Sequence, residues 1–159
     1  MGLILDTNAL CAIAAGEPGA AKKFARARQV AIPVIVLGEY RFGIAHSRHK
    51  REYERWLEEM VSVSRVLEVN EETAIWYAGL RGQLKEAGTP IPSNDAWIAA
   101  LCRQHALPLL SRDRHFDLIK GFKRLDWQVS STVDGRWHVA CGVSSPSTTY
   151  YLRPTVSVT

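Results

Sequence analysis

The sequence predicts an α/β domain built on a mostly parallel sheet that helices cover on both faces. Short apolar runs, such as Gly2–Leu5 and Val30–Ile32, alternate along the chain with longer amphipathic or alanine-rich segments. This alternation of strands and helices is typical of a parallel sheet. The chain has 159 residues, of which 47% are hydrophobic and 23% charged, so it can form one soluble domain with its own core.

The elements of the first half follow from apolar runs and breaker residues. A short apolar strand ends just before Asp6, and the helix after it is closed by Gly16-Glu17-Pro18. Pro33 is expected at the first position of a helix, where its missing N–H costs little. In order, we predict a strand at 2–5, helices at 7–14 and 20–28, a strand at 30–32, and helices at 33–45 and 50–60.

The second half continues the same alternation. Residues 61–69 alternate enough for a strand or an extended connection. Asn70 opens a long helix that stops before Gly88 and Pro90, and Ser93 is the expected N-cap of the next helix. We predict helices at 70–85 and 94–105, a strand at 107–110, a short helix near 113–119 and a last short strand near 123–126.

The composition changes after Trp127. Val129–Cys141 contains the turn signal Asp134-Gly135 between segments rich in Val, Trp and Thr, which predicts a hairpin. Gly142–Thr159 is rich in Ser, Thr and Pro and has no clear period, which predicts a flexible tail. We therefore predict one domain over residues 1–127 and a C-terminal extension over residues 128–159.

Composition and charge argue against several classes of protein. No apolar run reaches the roughly 18 residues that span a bilayer, and the N-terminus becomes charged too early for a signal peptide. Cys11, Cys102 and Cys141 show neither a disulfide framework nor a zinc spacing, so a cytoplasmic location is the expectation. The net charge of +4 suits a binder of polyanions, although many basic proteins bind no nucleic acid.

Four carboxylates stand where predicted strands and helices meet. They are Asp6, Glu39, Asp95 and Asp113. Asp6 and Asp113 each follow a strand, at the sheet edge where parallel α/β proteins bind ligands. Glu39 is expected on an apolar stripe of its helix, between Ile35 and Phe42, where no helix terminus stabilises it. Taken singly, each aspartate also has a plainer explanation, because an acid at a helix start complements the helix dipole.

Taken together, the four acids predict a site for a hard divalent cation. A buried carboxylate is costly unless it is paired, protonated or bound to a cation. Two like charges about 4 Å apart repel by about 4 kcal/mol at an effective dielectric near 20, so a cluster needs a cation among its members. Oxygen ligands select Mg²⁺ or Mn²⁺ over zinc. The histidines show no HxxxH spacing and are interpreted as surface residues or caps.

The carboxylates lie in sequence blocks that are similar to those of one family. The blocks are LILDTNAL, VIVLGEYRFGIAH, IPSNDAWIAAL and LPLLSRDRHFDLIKGFKRLDW. In this order they resemble PIN-domain ribonucleases, most closely the VapC-type toxins of toxin–antitoxin pairs, over roughly the first 127 residues. The resemblance implies a PIN-like fold, a cognate antitoxin and a homodimer. It also implies Mg²⁺-dependent cleavage of single-stranded RNA, with Mn²⁺ as a substitute, that leaves 5′-phosphate and 3′-hydroxyl ends. The extension after Trp127 departs from the family's pattern.

The resemblance further implies roles for individual residues. The four carboxylates match the acidic quartet that holds divalent metal in the family. Asn8 and Ser111 match the small polar positions that steady the acids or the attacking water. Asp117 lies four residues beyond Asp113, so on a short helix it shares that face and is a predicted supporting residue. The alternative is a surface acid beside a nearby lysine such as Lys120.

Two groups of cations predict a path for RNA. Arg48 and Arg51 lie in the basic segment that follows Glu39, and Arg112 and Arg114 flank the last aspartate of the quartet. Such residues can supply phosphate contacts to a single strand. The alternative is a solvated helix face whose charge neighbouring glutamates partly balance, or a surface that meets an acidic antitoxin.

Two other functions stay open at this point. One is a catalytically silent PIN-like module that acts only as an interaction partner. The other, less favoured, is a metal-dependent phosphatase of the haloacid-dehalogenase type, whose chemistry needs a second acid two residues after the first, where this chain has Asn8. The sequence specifies neither the RNA target, nor the antitoxin, nor whether one or two ions act.

Overall fold

A five-stranded parallel sheet stands at the centre of the fold. The structure, a computed structural model, describes residues 1–128. The strands are β1 (Gly2–Leu5), β2 (Gln29–Pro33), β3 (Arg65–Leu67), β4 (Leu109–Leu110) and β5 (Arg124–Leu125). They are ordered β3-β2-β1-β4-β5, and every pairing is parallel. The predicted parallel α/β architecture is confirmed.

Helices connect the strands. They are α1 (Thr7–Ala14), α2 (Pro18–Arg26), α3 (Val34–Ile44), α4 (Lys50–Ser62), α5 (Glu71–Glu86) and α6 (Ser93–His105), and a 3-10 helix covers Arg114–Leu118. The strand order reverses after β3, because the chain then crosses to β4 on the other side of β1. Since parallel crossovers are right-handed, the helices before and after this reversal lie on opposite faces of the sheet.

The core lies between the sheet and its helices, and it fixes the elements that carry the site. Ile4 and Leu5 of β1 and Leu109 and Leu110 of β4 are fully buried. Helix α6 buries a continuous series of small and apolar residues from Ile98 to Cys102. It packs against α5, where the ring of Trp97 stacks on that of Tyr77 at 3.9 Å between centroids.

The largest shift is in the segment predicted at 61–69, where only Arg65–Leu67 forms a strand and α4 continues to Ser62. Proline accounts for several smaller shifts. Pro18 begins α2, so this helix lies two residues earlier than predicted. Pro33 ends β2 and is the N-cap of α3, not its first residue, and Pro92 in place of Ser93 is the N-cap of α6. The predicted strand at 107–110 shortens to Leu109–Leu110, because its first two residues only lead into the sheet.

The remaining predictions about organisation fall at or beyond the end of the described chain. The predicted hairpin at 129–141 and the tail at 142–159 lie outside the described residues, and the domain boundary at 127 stays a prediction. Within residues 1–128, no helix is both long enough and apolar enough to cross a bilayer.

Candidate metal centre

The C-terminal edge of the sheet joins two segments that are far apart in the sequence. β1 and β4 pair in parallel with Leu5 opposite Leu110, so the residues that follow each strand become neighbours. The backbone N–H of Asp6 donates to the carbonyl of Leu110 at 3.1 Å. The Ser111 hydroxyl donates to Oδ2 of Asp6 at 2.7 Å, although 105 positions separate the two residues.

Asp6 is the most deeply buried acid at this edge, with only 5% of its surface exposed. Its Oδ1 atom accepts a hydrogen bond of 2.7 Å from the N–H of the next residue. Burial raises the pKa of Asp6 to about 6, and the charges of Glu39 and Asp113 add to this effect against the hydrogen bond from Ser111. Asp6 is therefore an anion that the surrounding protein only partly stabilises.

Asn8 and Ser111 form a small polar network around Asp6. The Asn8 amide donates to Oδ2 of Asp6 at 2.6 Å and to the Ser111 hydroxyl at 3.1 Å. Oδ1 of Asn8 accepts from the N–H of Arg112 at 3.1 Å, and the Ser111 hydroxyl accepts from the N–H of Asp113 at 2.9 Å. The two side chains thus tie the end of β1 to the loop after β4, where they fix the relative position of two acids.

Asp95 stands in the first turn of α6, at the same edge of the sheet. Burial raises the pKa of Asp95 to about 6, and the charges of Asp6 and Asp113 raise it further. Glu39 acts in the same direction, while His115 lowers this pKa. Contacts link all four acids along this edge, since Ser111 connects Asp6 to the Asp113 backbone and His115 lies beside both Asp113 and Asp95. Asn94, the residue before Asp95, donates to Glu39.

Glu39 joins the cluster through two partners that the sequence analysis did not identify. Its Oε1 atom accepts a hydrogen bond of 2.6 Å from the Asn94 amide, and its Oε2 atom accepts one from the Thr7 hydroxyl. The expected apolar stripe around it is wrong at one end, because Phe42 is 82% exposed. Glu39 is therefore half-buried between α1 and α6 and is not enclosed by the core.

His115 is exposed, as the sequence analysis predicted, but it also lies beside two of the acids, which the sequence analysis did not predict. Its Nδ1 atom lies 3.0 Å from Oδ1 of Asp113 and 3.8 Å from Oδ2 of Asp95. One ligand atom from each of these three residues lies within 4.8 Å of the others. An HxxxH search could not find this histidine, and the usable signal was its spacing of two residues from Asp113.

The donor set at this edge fits a hard divalent cation. It consists of carboxylate oxygens, with one imidazole at the exposed side. Within residues 1–128, no lysine or arginine forms an ion pair with any of the four acids. Oxygen-rich sites of this kind suit Mg²⁺ or Mn²⁺. A cation would offset both the burial that raises the pKa values of Asp6 and Asp95 and the smaller contribution from the neighbouring negative charges.

The structure does not bring Asp117 into this cluster. Nε and Nη2 of Arg124 donate to its two carboxylate oxygens, at 2.7 and 2.9 Å. Its partner is therefore an arginine of β5, not the lysine expected as the alternative. The hydrogen bond from Arg124 is the main reason why the pKa of Asp117 lies below its ordinary value.

The predicted RNA-contacting arginines divide into two groups. Arg112 is partly buried, and its guanidinium pairs with Glu17 and lies 4.5 Å from the centroid of the Trp127 ring, so its RNA contact stays a prediction. The other three are exposed. They are Arg48, Arg51 and Arg114.

Comparison with known proteins identifies the family to which this chain belongs. A family model described as PIN domain matches residues 3–121. The chain belongs to the PIN-domain family. Ribonuclease VapC5 of Mycobacterium tuberculosis is 34% identical to it over 95 residues, which cover 58% of this chain and 70% of that protein. The predicted membership of the PIN-domain family, among VapC-type proteins, is confirmed.

Solved structures of PIN-family proteins share the fold. DNA-bound VapBC from Salmonella typhimurium matches with a TM-score of 0.73 and 25% identity, over 80% of this chain and 99% of that one. VapBC-5 from Mycobacterium tuberculosis, a member of the VapBC family of toxin–antitoxin systems, matches with a TM-score of 0.63 and 27% identity. That match covers 80% of this chain and 98% of the other. The predicted PIN-like fold is confirmed.

Proposed function

We propose that this chain is a divalent-metal-dependent endoribonuclease that hydrolyses the phosphodiesters of single-stranded RNA. The observation that carries the proposal is the convergence of four carboxylates from separate segments, with no lysine or arginine of residues 1–128 paired to them. The identity to a protein named as a ribonuclease supports the choice of RNA as substrate.

Asp6, Glu39, Asp95 and Asp113 would hold the cation, Mg²⁺ or Mn²⁺. When bound, the ion supplies Lewis acidity toward the phosphate and lowers the pKa of water. The chain itself supplies a rigid base for the ligands, since Asn8 and Ser111 fix Asp6 and the loop that carries Asp113.

The proposed chemistry is a direct hydrolysis, in which the carboxylates would position the cation and the attacking water. In the proposed reaction the water oxygen forms a new bond to phosphorus and the bond from phosphorus to the 3′ oxygen breaks. The products are a 5′-phosphate and a 3′-hydroxyl end, and no covalent enzyme intermediate is needed.

Exposed arginines beside the site are candidates for phosphate contacts. Arg48 and Arg51 lie at the start of α4, and Arg114 directly follows Asp113. Helix α4 returns the chain to β3, which begins at the opposite edge of the sheet, so the first turn of α4 points toward the edge of the carboxylates. This arrangement supports an RNA path that passes from α4 to the loop after β4.

We further propose that the chain is the toxin of a toxin–antitoxin pair and that it forms a homodimer. The support is its likeness to VapBC-5, a member of a toxin–antitoxin family, and to VapBC from Salmonella typhimurium. Expression with and without the gene product of the neighbouring reading frame tests the pair. Growth arrest that the neighbour relieves is expected, and a matching copurification of the two proteins would support it.

The experiment that tests the nuclease uses a pool of single-stranded RNA, with a duplex RNA of the same sequences in parallel. Wild type should cleave the single strands with Mg²⁺ or Mn²⁺ and should lose this activity in a chelator. Asp6→Asn should be inactive, and Glu86→Gln, an exposed acid at the end of α5, should match wild type. Equal cleavage by wild type and Asp6→Asn would contradict the site. No cleavage of any RNA would favour the silent interaction module.

A further inference from the structure

Arg124 of β5 connects Asp117 to the backbone of the loop that carries the metal site. Its Nη1 atom donates to the carbonyl oxygen of Ser111 at 2.9 Å. The same guanidinium binds both oxygens of Asp117 and lies 3.2 Å from an oxygen of Asp126. Only 13% of the Arg124 side chain is exposed, so this guanidinium has one fixed setting between three acceptors.

The residue that Arg124 contacts is the one that organises the site. Ser111 is fully buried, and its N–H donates to the carbonyl of Leu125 at 3.0 Å. Its hydroxyl donates to Asp6 and accepts from the N–H of Asp113. With Arg124 on its carbonyl, every polar atom of Ser111 is held. A shift of the Ser111 peptide would therefore move the hydroxyl that orients the Asp6 carboxylate and holds the backbone of Asp113.

The chemistry of this contact requires arginine. A guanidinium presents donors in a planar fork, so it can bind a carboxylate with two hydrogen bonds and still donate a third to a carbonyl. A lysine at this position could reach the acid or the carbonyl, but it could not hold both in one geometry. The Asp117 side chain is half exposed, and pairs of this kind contribute little to stability. A geometric role explains the arrangement better than a stabilising one.

We propose that Arg124, oriented by Asp117, is a positioning residue for the metal site. It holds the Ser111 carbonyl so that the Ser111 hydroxyl keeps Asp6 and Asp113 in the geometry that binds the cation. Asp117 acts through Arg124 and is not itself a ligand. This inference rests on the proposed function, because it assigns a purpose to the same carboxylate cluster.

The test measures Mn²⁺ binding to the full chain by calorimetry, with thermal unfolding in chelator as a second readout. Partners of metal ligands typically change affinity by about 10- to 100-fold when removed, and Arg124→Met should weaken Mn²⁺ binding by about 10-fold. Arg124→Lys should recover part of this loss and also serves if Arg124→Met does not fold.

Arg103→Met is the matched control. Arg103 makes the same type of contact, because its guanidinium donates to the carbonyl of Lys120 at 2.9 Å and to Gln83 at 3.0 Å. It braces the neighbouring loop but does not touch Ser111. This variant should change the unfolding temperature and leave Mn²⁺ affinity unchanged. Equal Mn²⁺ affinities for Arg124→Met and Arg103→Met would overturn the inference.

A double-mutant cycle with Asp117→Asn separates an indirect role from a direct one. If Asp117 acts through Arg124, Asp117→Asn should weaken Mn²⁺ binding in wild type and add nothing in the Arg124→Met background. A further loss in that background would mean that Asp117 binds the ion directly, which overturns the inference. If wild type binds Mn²⁺ but cleaves no RNA, the proposed nuclease function is contradicted, and the double-mutant cycle still decides the role of Arg124. If wild type binds no Mn²⁺, both the nuclease function and the positioning role of Arg124 are overturned.

Discussion

Two groups of aspartates lie side by side in this molecule, and their pKa values move in opposite directions. In the first group, burial raises the pKa of Asp6 and of Asp95 to about 6. In the second, a hydrogen bond from Arg124 lowers the pKa of Asp117. Against the effect of burial, hydrogen bonds from the Gln128 N–H and from Arg124 also lower the pKa of Asp126. The residue type is the same, but the first group is more deeply buried, and both acids of the second group accept hydrogen bonds from Arg124.

Ser111 is the boundary between the two groups. Its hydroxyl donates a hydrogen bond to Asp6, which has no arginine or lysine partner within residues 1–128. Its carbonyl accepts one from Arg124, which pairs with the acids of the second group. The paired group has its countercharge within the chain and has no need of a ligand. The unpaired group costs stability until a cation binds, which is a common property of functional sites. The contrast identifies which acids are available for a metal.

The largest expected effect comes from removing one of the unpaired acids. Asp6→Asn should lower RNA cleavage at saturating Mg²⁺ by more than about 100-fold, the upper end of what the loss of an outer partner of a metal ligand costs. The reason is that Asp6 is a proposed ligand and the centre of the Asn8–Ser111 network. Single-turnover cleavage rates measure the effect.

The matched control for this prediction comes from the paired group. Asp126→Asn removes an acid that lies near the same loop and accepts hydrogen bonds from Arg124 and from the N–H groups of Trp127 and Gln128. It should reduce cleavage far less than Asp6→Asn does. Comparable losses for the two variants would show that the distinction between paired and unpaired acids has no functional meaning.

A smaller effect is expected from the boundary residue itself. Ser111→Ala removes the donor to Asp6 and the acceptor for the Asp113 N–H while leaving the backbone contacts in place. Mn²⁺ affinity should fall by about 10-fold, as for other residues that orient metal ligands. Ser64→Ala, whose buried hydroxyl has no hydrogen-bond partner within residues 1–128, is the control and should bind Mn²⁺ like wild type. An unchanged affinity in Ser111→Ala would remove Ser111 from the site.

Sequence patterns were sufficient to identify the acids because each acid follows a local rule. Asp6 directly follows β1, and Asp113 lies three residues after the end of β4. The C-terminal ends of parallel strands share one edge of the sheet. Asp95 follows a proline that begins a helix. These features depend on neighbouring residues, so a single sequence contains them.

The contacts that separate the two groups of acids could not be predicted in the same way. The pair between Arg124 and Asp117 depends on how β5 lies against the 3-10 helix. Helix spacing instead suggested that Asp117 supports Asp113, and the alternative paired it with a nearby lysine. Arg112 was expected to meet RNA, and its pair with Glu17 across 95 positions was not predicted. Phe42 fitted an apolar period and is nevertheless exposed, because periodicity does not distinguish a buried residue from an exposed apolar one.

A third prediction concerns the free energy of unfolding without metal. Between pH 6 and pH 4 the folded state binds protons on Asp6 and Asp95 that the unfolded chain, with ordinary carboxyl pKa values, does not bind. Stability should therefore rise as the pH falls from 7 to 5, by about 3 kcal/mol for the two groups, since each gains protons over about one pH unit at about 1.4 kcal/mol per unit. Urea unfolding in chelator at the two pH values measures it.

Two comparisons isolate the carboxyl contribution to this pH dependence. His105, whose pKa is lowered by burial, works in the opposite direction, so the difference between wild type and Asp95→Asn is the informative quantity. Asp95→Asn should show a smaller gain at pH 5. Saturating Mg²⁺ should reverse the slope, because the ion binds the deprotonated acids. A wild type whose stability falls toward pH 5 as much as that of Asp95→Asn would contradict the raised pKa values.

The smallest expected effect tests whether the cations outside the two acid groups meet RNA. Arg48 and Arg51 are exposed at the start of α4 and form no ion pair within residues 1–128. Charge reversal of both should weaken RNA binding several-fold, and each lost phosphate contact should reduce the salt slope of log K by about 1. The matched control is the double variant Arg65→Glu and Lys123→Glu. Arg65 is the first residue of β3 and Lys123 directly precedes β5, so both lie at the edge of the sheet opposite the carboxylates.

Filter binding of inactive Asp6→Asn protein to a single-stranded RNA across a salt series measures both pairs of variants. If the two double variants have equal salt slopes, Arg48 and Arg51 are part of a solvated helix face and do not contact RNA. If only the Arg48 and Arg51 variant has a lower slope, the RNA site extends from the carboxylates to α4.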